Sequence, residues 1–427
     1  MRPKGFVRLA AALSVPLLAA GVVVAGAGAA SADDGWHHSH VLYVSPGAKH
    51  WNSDRSCRSA KFTTIQSAVD AARPGGTVVV CPGTYHEQVV ISKPLTLKGK
   101  HATIDQTGVT PGFQVTLPGL GTQTIFAAVV MDSSRINFSG FTVTNAQGEG
   151  ILAAGLNGPI SKITISRNTV VNNDLGGGVP PASDYFLCQP AGPVPGDCGE
   201  GVHFAGNVGW STIRDNLITH NSGGVLLTDD IGPTHDNVVA GNIVTANLFD
   251  CGITVPGHNP NALSSTGVRQ PSVAGVYRNA ILNNVVTGNG VLGEGAGVLF
   301  ANAGPGTASY DNLVRGNYIA GNSLAGVTMH AHGPNGINED LNGNVIVRNS
   351  IGKNNLLGDG LDGPPGPSDM VPTGVLVFSG GTPVAVRIAH NHIFNNDIGI
   401  WLSAPVTASG LGTNRFSNVA TPVSSNN

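Results

Sequence analysis

Short apolar runs alternate with polar corners along most of this chain, and the corners carry Asn at a fixed interval. The motif Asn-x-x-x-x-Asn recurs at Asn168/Asn173, Asn216/Asn221, Asn242/Asn247, Asn284/Asn289, Asn317/Asn322, Asn349/Asn354 and Asn391/Asn396. A Val or Ile stands two after the first Asn of each pair: Val170, Ile218, Val244, Val286, Ile319, Ile351 and Ile393. Several pairs lead into a Gly-plus-apolar step, as at Gly224-Val225, Gly252-Ile253, Gly297-Val298, Gly326-Val327 and Gly399-Ile400. Gly and Asn recur too often for helix interiors. Self-similarity of this kind marks a solenoid. Short strands with inward Val, Ile and Leu need a covered face, and each coil covers the next. The expected fold is therefore all-β, a right-handed parallel β-helix. Asn tolerates the left-handed backbone of tight corners, and stacked Asn side chains can bond along a ladder.

The stretch 62–76 breaks this pattern. Thr63 with Gln66 reads as a capping box. Ile65, Ala68, Val69 and Ala72 make one apolar face, and Pro74-Gly75-Gly76 stops the helix. A helix within 63–73 would cover the open end of the solenoid, whose strand edges must be protected. The spacing then places a signal segment at 1–32, a polar segment at 33–60, the β-helix with its cap at 61–415 and a tail at 416–427.

Three quoted segments carry a resemblance. They are Thr64-Ile-Gln-Ser-Ala-Val-Asp-Ala-Ala, Val78-Val-Val-Cys-Pro-Gly-Thr-Tyr and Ile91-Ser-Lys-Pro-Leu-Thr-Leu-Lys-Gly99. Together they resemble the opening of secreted right-handed parallel β-helix proteins of the pectate-lyase-like superfamily, including the periplasmic nitrous-oxide-reductase accessory proteins. The match is close over roughly 60–105 and loose over the Asn-rich coils. It implies the fold. It does not imply one activity, because this superfold hosts lyases, glycosidases, epimerases and non-enzymes.

Composition narrows the setting. Charged residues make up 11% of the 427, beside 60 Gly and 27 Pro. Arg2, Lys4 and Arg8 precede an Ala/Leu/Val-rich stretch, and Ala30-Ser31-Ala32 fits cleavage before Asp33. The expectation is a secreted, extracellular monomer with no membrane attachment once the signal is removed. Losing those three positive charges takes the formal net charge from −3 to −6. Such a surface speaks against nucleic acid as a partner. The five Cys suit an oxidising exterior. Cys57–Cys81 and Cys188–Cys198 are the expected disulfides, with Cys251 a small buried thiol. His37, His38 and His40 have the chemistry to hold a metal weakly, or are simply part of a frayed tail.

Aligning the strands on the Gly-apolar step sets up a candidate site. Positions one and three after Gly are apolar and should point inward, while positions two and four point out. Position six reads Asn207, Asp230, His258, Ala303 and His332. Strands stack about 4.8 Å apart, so Asp230 and His258 should be neighbours. Asp229, His235, Asp236 and Asp250 lie close in sequence. A carboxylate beside a His is what general acid/base work needs. Carboxylates around a turn equally suit Ca²⁺, and Asp230, His258 and His332 with a carboxylate suit Zn²⁺. These Asp residues also suit plain turn capping. All three readings stay open.

Insertions at 174–200, 256–275 and 355–373 flank the same column and would wall a groove, where binding groups gather. A groove suits a polysaccharide, with Tyr185, Phe186, Tyr277, Tyr310 and Phe378 able to stack on sugar rings. Resemblance to single enzyme families is partial. Asp229-Asp230 and Gly257-His258 resemble parts of the galacturonan hydrolase motifs, but no Arg-Ile-Lys follows. The Arg base of pectate lyases has no counterpart unless Arg269 folds back. Pro233-Thr234-His235-Asp236 is a distant likeness to the Asp-Pro-His-Asp of mannuronan C5-epimerases. The sequence therefore points to lyase, epimerase or hydrolase chemistry on a polysaccharide, or to a non-catalytic glycan- or metal-binding scaffold.

Overall fold

Each coil is built from short strands joined at corners. One coil runs through Gly223–Leu227, Thr234–His235, Val238–Ala240 and Ile243–Thr245 before Ile253–Gly257 opens the next. The computed structural model describes residues 41–48, 56–117, 121–174, 200–293, 295–331, 338–358, 371–403 and 405–425. Its stacked strands pair in parallel, so Val202 lies beside Val225 and Val225 beside Ile253. The described antiparallel strand pair is the hairpin Gln114–Leu117 with Gly121–Thr124. Most of the five-residue strands form an 11-stranded sheet, five two-residue strands form another, and the three-residue strands that flank the Asn corners belong to a 21-stranded sheet. The chain is a right-handed parallel β-helix.

The inward pattern follows the sequence. Val202, Phe204, Val225, Leu227, Ile253 and Val255 are all fully buried in one continuous core. The Gly of each Gly-apolar step is demanded by the corner. A Cβ on Gly224 would sit 2.1 Å from the Gly252 carbonyl oxygen and 2.5 Å from a methyl of Val244.

Asn side chains fill the corners as ladders. Oδ1 of Asn216 accepts from both the backbone N–H and Nδ2 of Asn168, each at 3.0 Å. Nδ2 of Asn216 donates in turn to the Ile165 carbonyl at 3.0 Å. The second Asn of each pair builds a parallel ladder, as in Asn221 to Asn247. A third ladder was not expected: Asn237, Asn279, Asn312 and Asn344 bond in the same way. Its members stand five residues before Asn242, Asn284, Asn317 and Asn349. The left-handed backbone falls elsewhere than expected. Arg167, Asp215, Gly241, Asn283 and Gly316 have positive φ, and each precedes a ladder Asn. The preceding residue turns the chain, which frees the Asn amide to satisfy the buried corner.

The ends also differ from expectation. Val41–Val44 already pairs with Gly76–Val80, inside the segment read as polar. Arg415–Ser417 and Thr421–Ser425 continue the stack, so residues 416–425 are not a loose tail. The helix spans Ile65–Ala71 and buries Ile65, Ala68 and Val69. Its cap is Thr64 rather than Thr63, and the Glu87 carboxylate accepts from the N–H groups of Ile65 and Gln66. Cys57 and Cys81 form a disulfide, and Cys251 is buried and free. Cys188 and Cys198 lie outside the described residues, as do the signal segment and His37, His38 and His40. No helix among the described residues is long and apolar enough to cross a membrane.

Candidate functional site

On the outer face of the 11-stranded sheet the register puts Leu152, His203, Leu226 and Thr254 in one row. His203 begins a line of polar contacts that crosses four coils. Its Nδ1 lies 3.0 Å from Glu149 Oε1, and its Nε2 lies 3.0 Å from Thr228 Oγ1. Thr228 donates its hydroxyl to Asp230 Oδ2 at 2.6 Å. Asp230 Oδ1 faces His258 Nδ1 at 2.9 Å. The line opens outward along its length: the side chain of His203 is 0% exposed, Asp230 12% and His258 20%.

The proton positions follow from these contacts. Burial alone would raise the Asp230 carboxyl, but His258 and His203 pull it below the ordinary value, so it is a carboxylate. Thr228 has one hydroxyl hydrogen, and Asp230 takes it. Thr228 can then only accept from His203, so His203 Nε2 carries a hydrogen. Likewise Asp230 Oδ1 accepts from His258 Nδ1–H.

Asp229, adjacent in sequence, does a different job. Its Oδ1 accepts from the N–H groups of His258 and Asn259 at 2.7 and 3.0 Å, and its Oδ2 from Gly275 N–H at 2.7 Å. It is fully buried, and burial pushes it up to about 6 despite those donors. The carboxylate clamps both ends of the 258–275 insertion. That use leaves it unable to serve a substrate or Ca²⁺ without opening the turn.

His235 and Asp236 lie on the five-stranded sheet. His235 Nδ1 meets Asp236 Oδ2 at 2.7 Å, and Arg278 pairs with Asp236 at 2.6 Å. The His235 ring stacks on Tyr277 at 5.0 Å, and Tyr277 on Tyr310 at 5.0 Å. Both tyrosines are buried with Ala262, Leu263 and Ala274 of the insertion, and Tyr277 donates to the Pro271 carbonyl. They pack the loop down and are not sugar platforms. Arg269 does not fold back toward Asp230: it pairs with Asp340 at 2.6 Å and Asp311 at 2.7 Å, over the Tyr310 ring. Asp250 accepts from Cys251 N–H and lies near Glu200. His332, and most of the insertions at 174–200 and 355–373, lie outside the described residues.

The family profile described as "Protein of unknown function (DUF1565)" matches residues 49–268, more than half of the chain. The chain belongs to this family. A profile described as "Periplasmic copper-binding protein (NosD)" matches residues 194–357. No curated protein sequence matches. Among solved structures, the A-module of Azotobacter vinelandii mannuronan C-5 epimerase AlgE4 aligns with a TM-score of 0.52 at 17% identity, covering 89% of this chain and 97% of that one. The Dettilon tailspike protein (gp208) aligns with a TM-score of 0.51 at 15% identity, covering 89% and 68%. At such identities the likeness establishes the fold.

In this DUF1565 chain the sequence had singled out Asp230 and His258 but not Glu149, Glu200 or Thr228. The signal was available. Glu149-Gly150 and Glu200-Gly201 repeat the same step, and His203 stands two after Gly201, at an outward position of that strand.

Proposed function

We propose that this is an exported β-helix protein acting on a polysaccharide, in which Asp230 and His258 move a proton at a sugar ring. The observation that carries the reading is the 2.9 Å contact between Asp230 Oδ1 and His258 Nδ1 where the polar line reaches solvent. An ionised Asp230 orients the ring and favours the tautomer whose Nε2 holds a lone pair. In a polymer of uronic acids, Nε2 in the first step takes the C5 proton beside the sugar carboxylate. The electron pair left on C5 then either forms a C4=C5 double bond while the C4 oxygen departs and takes up a proton from solvent, as in a lyase, or accepts a proton on the opposite face, as in an epimerase. A fold shared with a protein titled mannuronan C-5 epimerase supports that substrate class. The Cys57–Cys81 disulfide supports an oxidising compartment.

The test is incubation with alginate, pectate and other uronate polymers in D₂O, with NMR detection both of deuterium at C5, which an epimerase leaves, and of unsaturated C4=C5 chain ends, which a lyase leaves. Either signal, lost in Asp230→Asn and His258→Ala, supports the reading. Neither signal on any uronate polymer sinks it. The clamping role of Asp229 favours a second reading, a glycan-binding scaffold, which retention of the polymers without chemistry would support.

A further inference from the structure

The inner end of the polar line has no part in the proposed proton transfer. Glu149 and Glu200 precede the Gly of successive strands, and the register Ile151↔Val202 stacks them. His203 reaches back to Glu149. One carboxylate oxygen from each Glu and a ring nitrogen of His203 lie within 4.8 Å of one another, and all three residues are buried. No N–H or hydroxyl outside Glu200 itself donates to its carboxyl oxygens, which face the Glu149 carboxyl. A buried carboxyl group without a donor is unfavourable, and a second one stacked on it makes matters worse. The His203 tautomer adds an independent constraint. Its Nε2–H is directed at Thr228, so Nδ1 is the ring nitrogen that faces the two carboxyl groups and the one a metal ion would take in place of a proton.

We propose that Glu149, Glu200 and His203 bind one divalent first-row metal ion. Two carboxylate oxygens and one imidazole nitrogen suit Zn²⁺ or Mn²⁺. Ligands at about 2.0–2.2 Å from one ion stand about 3–4 Å apart, so a small closure of the three side chains suffices. Gly223 keeps the space open. A Cβ there would lie 3.2 Å from both Cγ and Oε1 of Glu200.

The experiment uses chelator-stripped full-length protein with His37, His38 and His40 each replaced by Gln, because that segment can itself take up Zn²⁺. Zn²⁺ is titrated by calorimetry. Cu²⁺ is a poor probe, since it outbinds other first-row ions at most N/O sites. The expected result is one Zn²⁺ per chain and a raised Tm. Glu200→Gln should abolish the response with an unchanged or higher metal-free Tm. Gly223→Ala should weaken binding although it removes no ligand. If Glu200→Gln fails to fold, Glu149→Gln replaces it. No uptake, or equal affinity in the Gln variant, would overturn the proposal. The inference is independent of the sugar chemistry: His258→Ala, tested in the same titration, should bind Zn²⁺ within a few-fold of the parent.

Discussion

Asp230 Oδ1 stands 2.9 Å from His258 Nδ1, although 28 residues separate them. They are neighbours because the strands ending at Leu227 and Gly257 stack in register, Val225 beside Ile253. Each side chain meets the other at the partly open end of a buried line. Asp230→Asn and His258→Ala should each lower any deuterium exchange at C5 by about 10²–10⁴-fold, the range for a positioned acid/base group. Tm should stay within a few degrees. A variant that retains full exchange would remove its residue from the mechanism.

Asp229→Asn should behave in the opposite way. Three N–H groups point at the Asp229 carboxylate, and an Asn offers acceptors to two of them at most. The amide nitrogen would then confront the N–H of Gly275. Leaving one buried donor unpaired costs about 1–3 kcal/mol. Denaturant unfolding should register this loss. An unchanged midpoint would mean the clamp is not holding the 258–275 insertion.

Removing one rung of an Asn ladder should cost more than removing an exposed side chain beside it. Asn284 accepts from N–H and Nδ2 of Asn242 at 2.9 and 3.0 Å and donates to the Val239 carbonyl. Asn284→Ala takes a hydrogen bond from four buried groups, the N–H and Nδ2 of Asn242, the Val239 carbonyl and Asn317 Oδ1, so at least about 2 kcal/mol should be lost. Val285→Ala, at a side chain 39% exposed, should stay within about 1 kcal/mol. Equal effects in a chemical unfolding series would contradict a stabilising ladder.

The Asp230 carboxyl also predicts an acid limb. Its folded value is depressed by His258 and His203 against the effect of burial. A depressed carboxylate contributes stability above its ordinary range, and that contribution is lost as pH falls through the folded value. Tm should fall below about pH 4 in the parent, and the fall should be shallower in Asp230→Asn. Parallel curves for the two proteins would place the acid sensitivity elsewhere.

The repeat was legible because its physics is local. An Asn at every fifth residue, a branched apolar residue between, and a Gly that no other residue can replace at Gly224 together specify a coil, and a coil can bury its face only on another coil. The same count placed Asp230 beside His258, since parallel stacking preserves position from strand to strand. It did not separate Asp229 from Asp230, because adjacent residues in a turn diverge according to which N–H groups the next coil brings within reach. Nor did it join Glu149, Glu200 and His203, whose cluster depends on how far three side chains extend across stacked strands. Tyr277 and Tyr310 carried the same ambiguity: aromatic rings suit sugars and loops equally, and only the fold of 258–275 over them decided for packing. Sequence determined what repeats along the axis. Tertiary structure decided what each side chain meets across it, because those partners come from other coils and from insertions with no repeat to count.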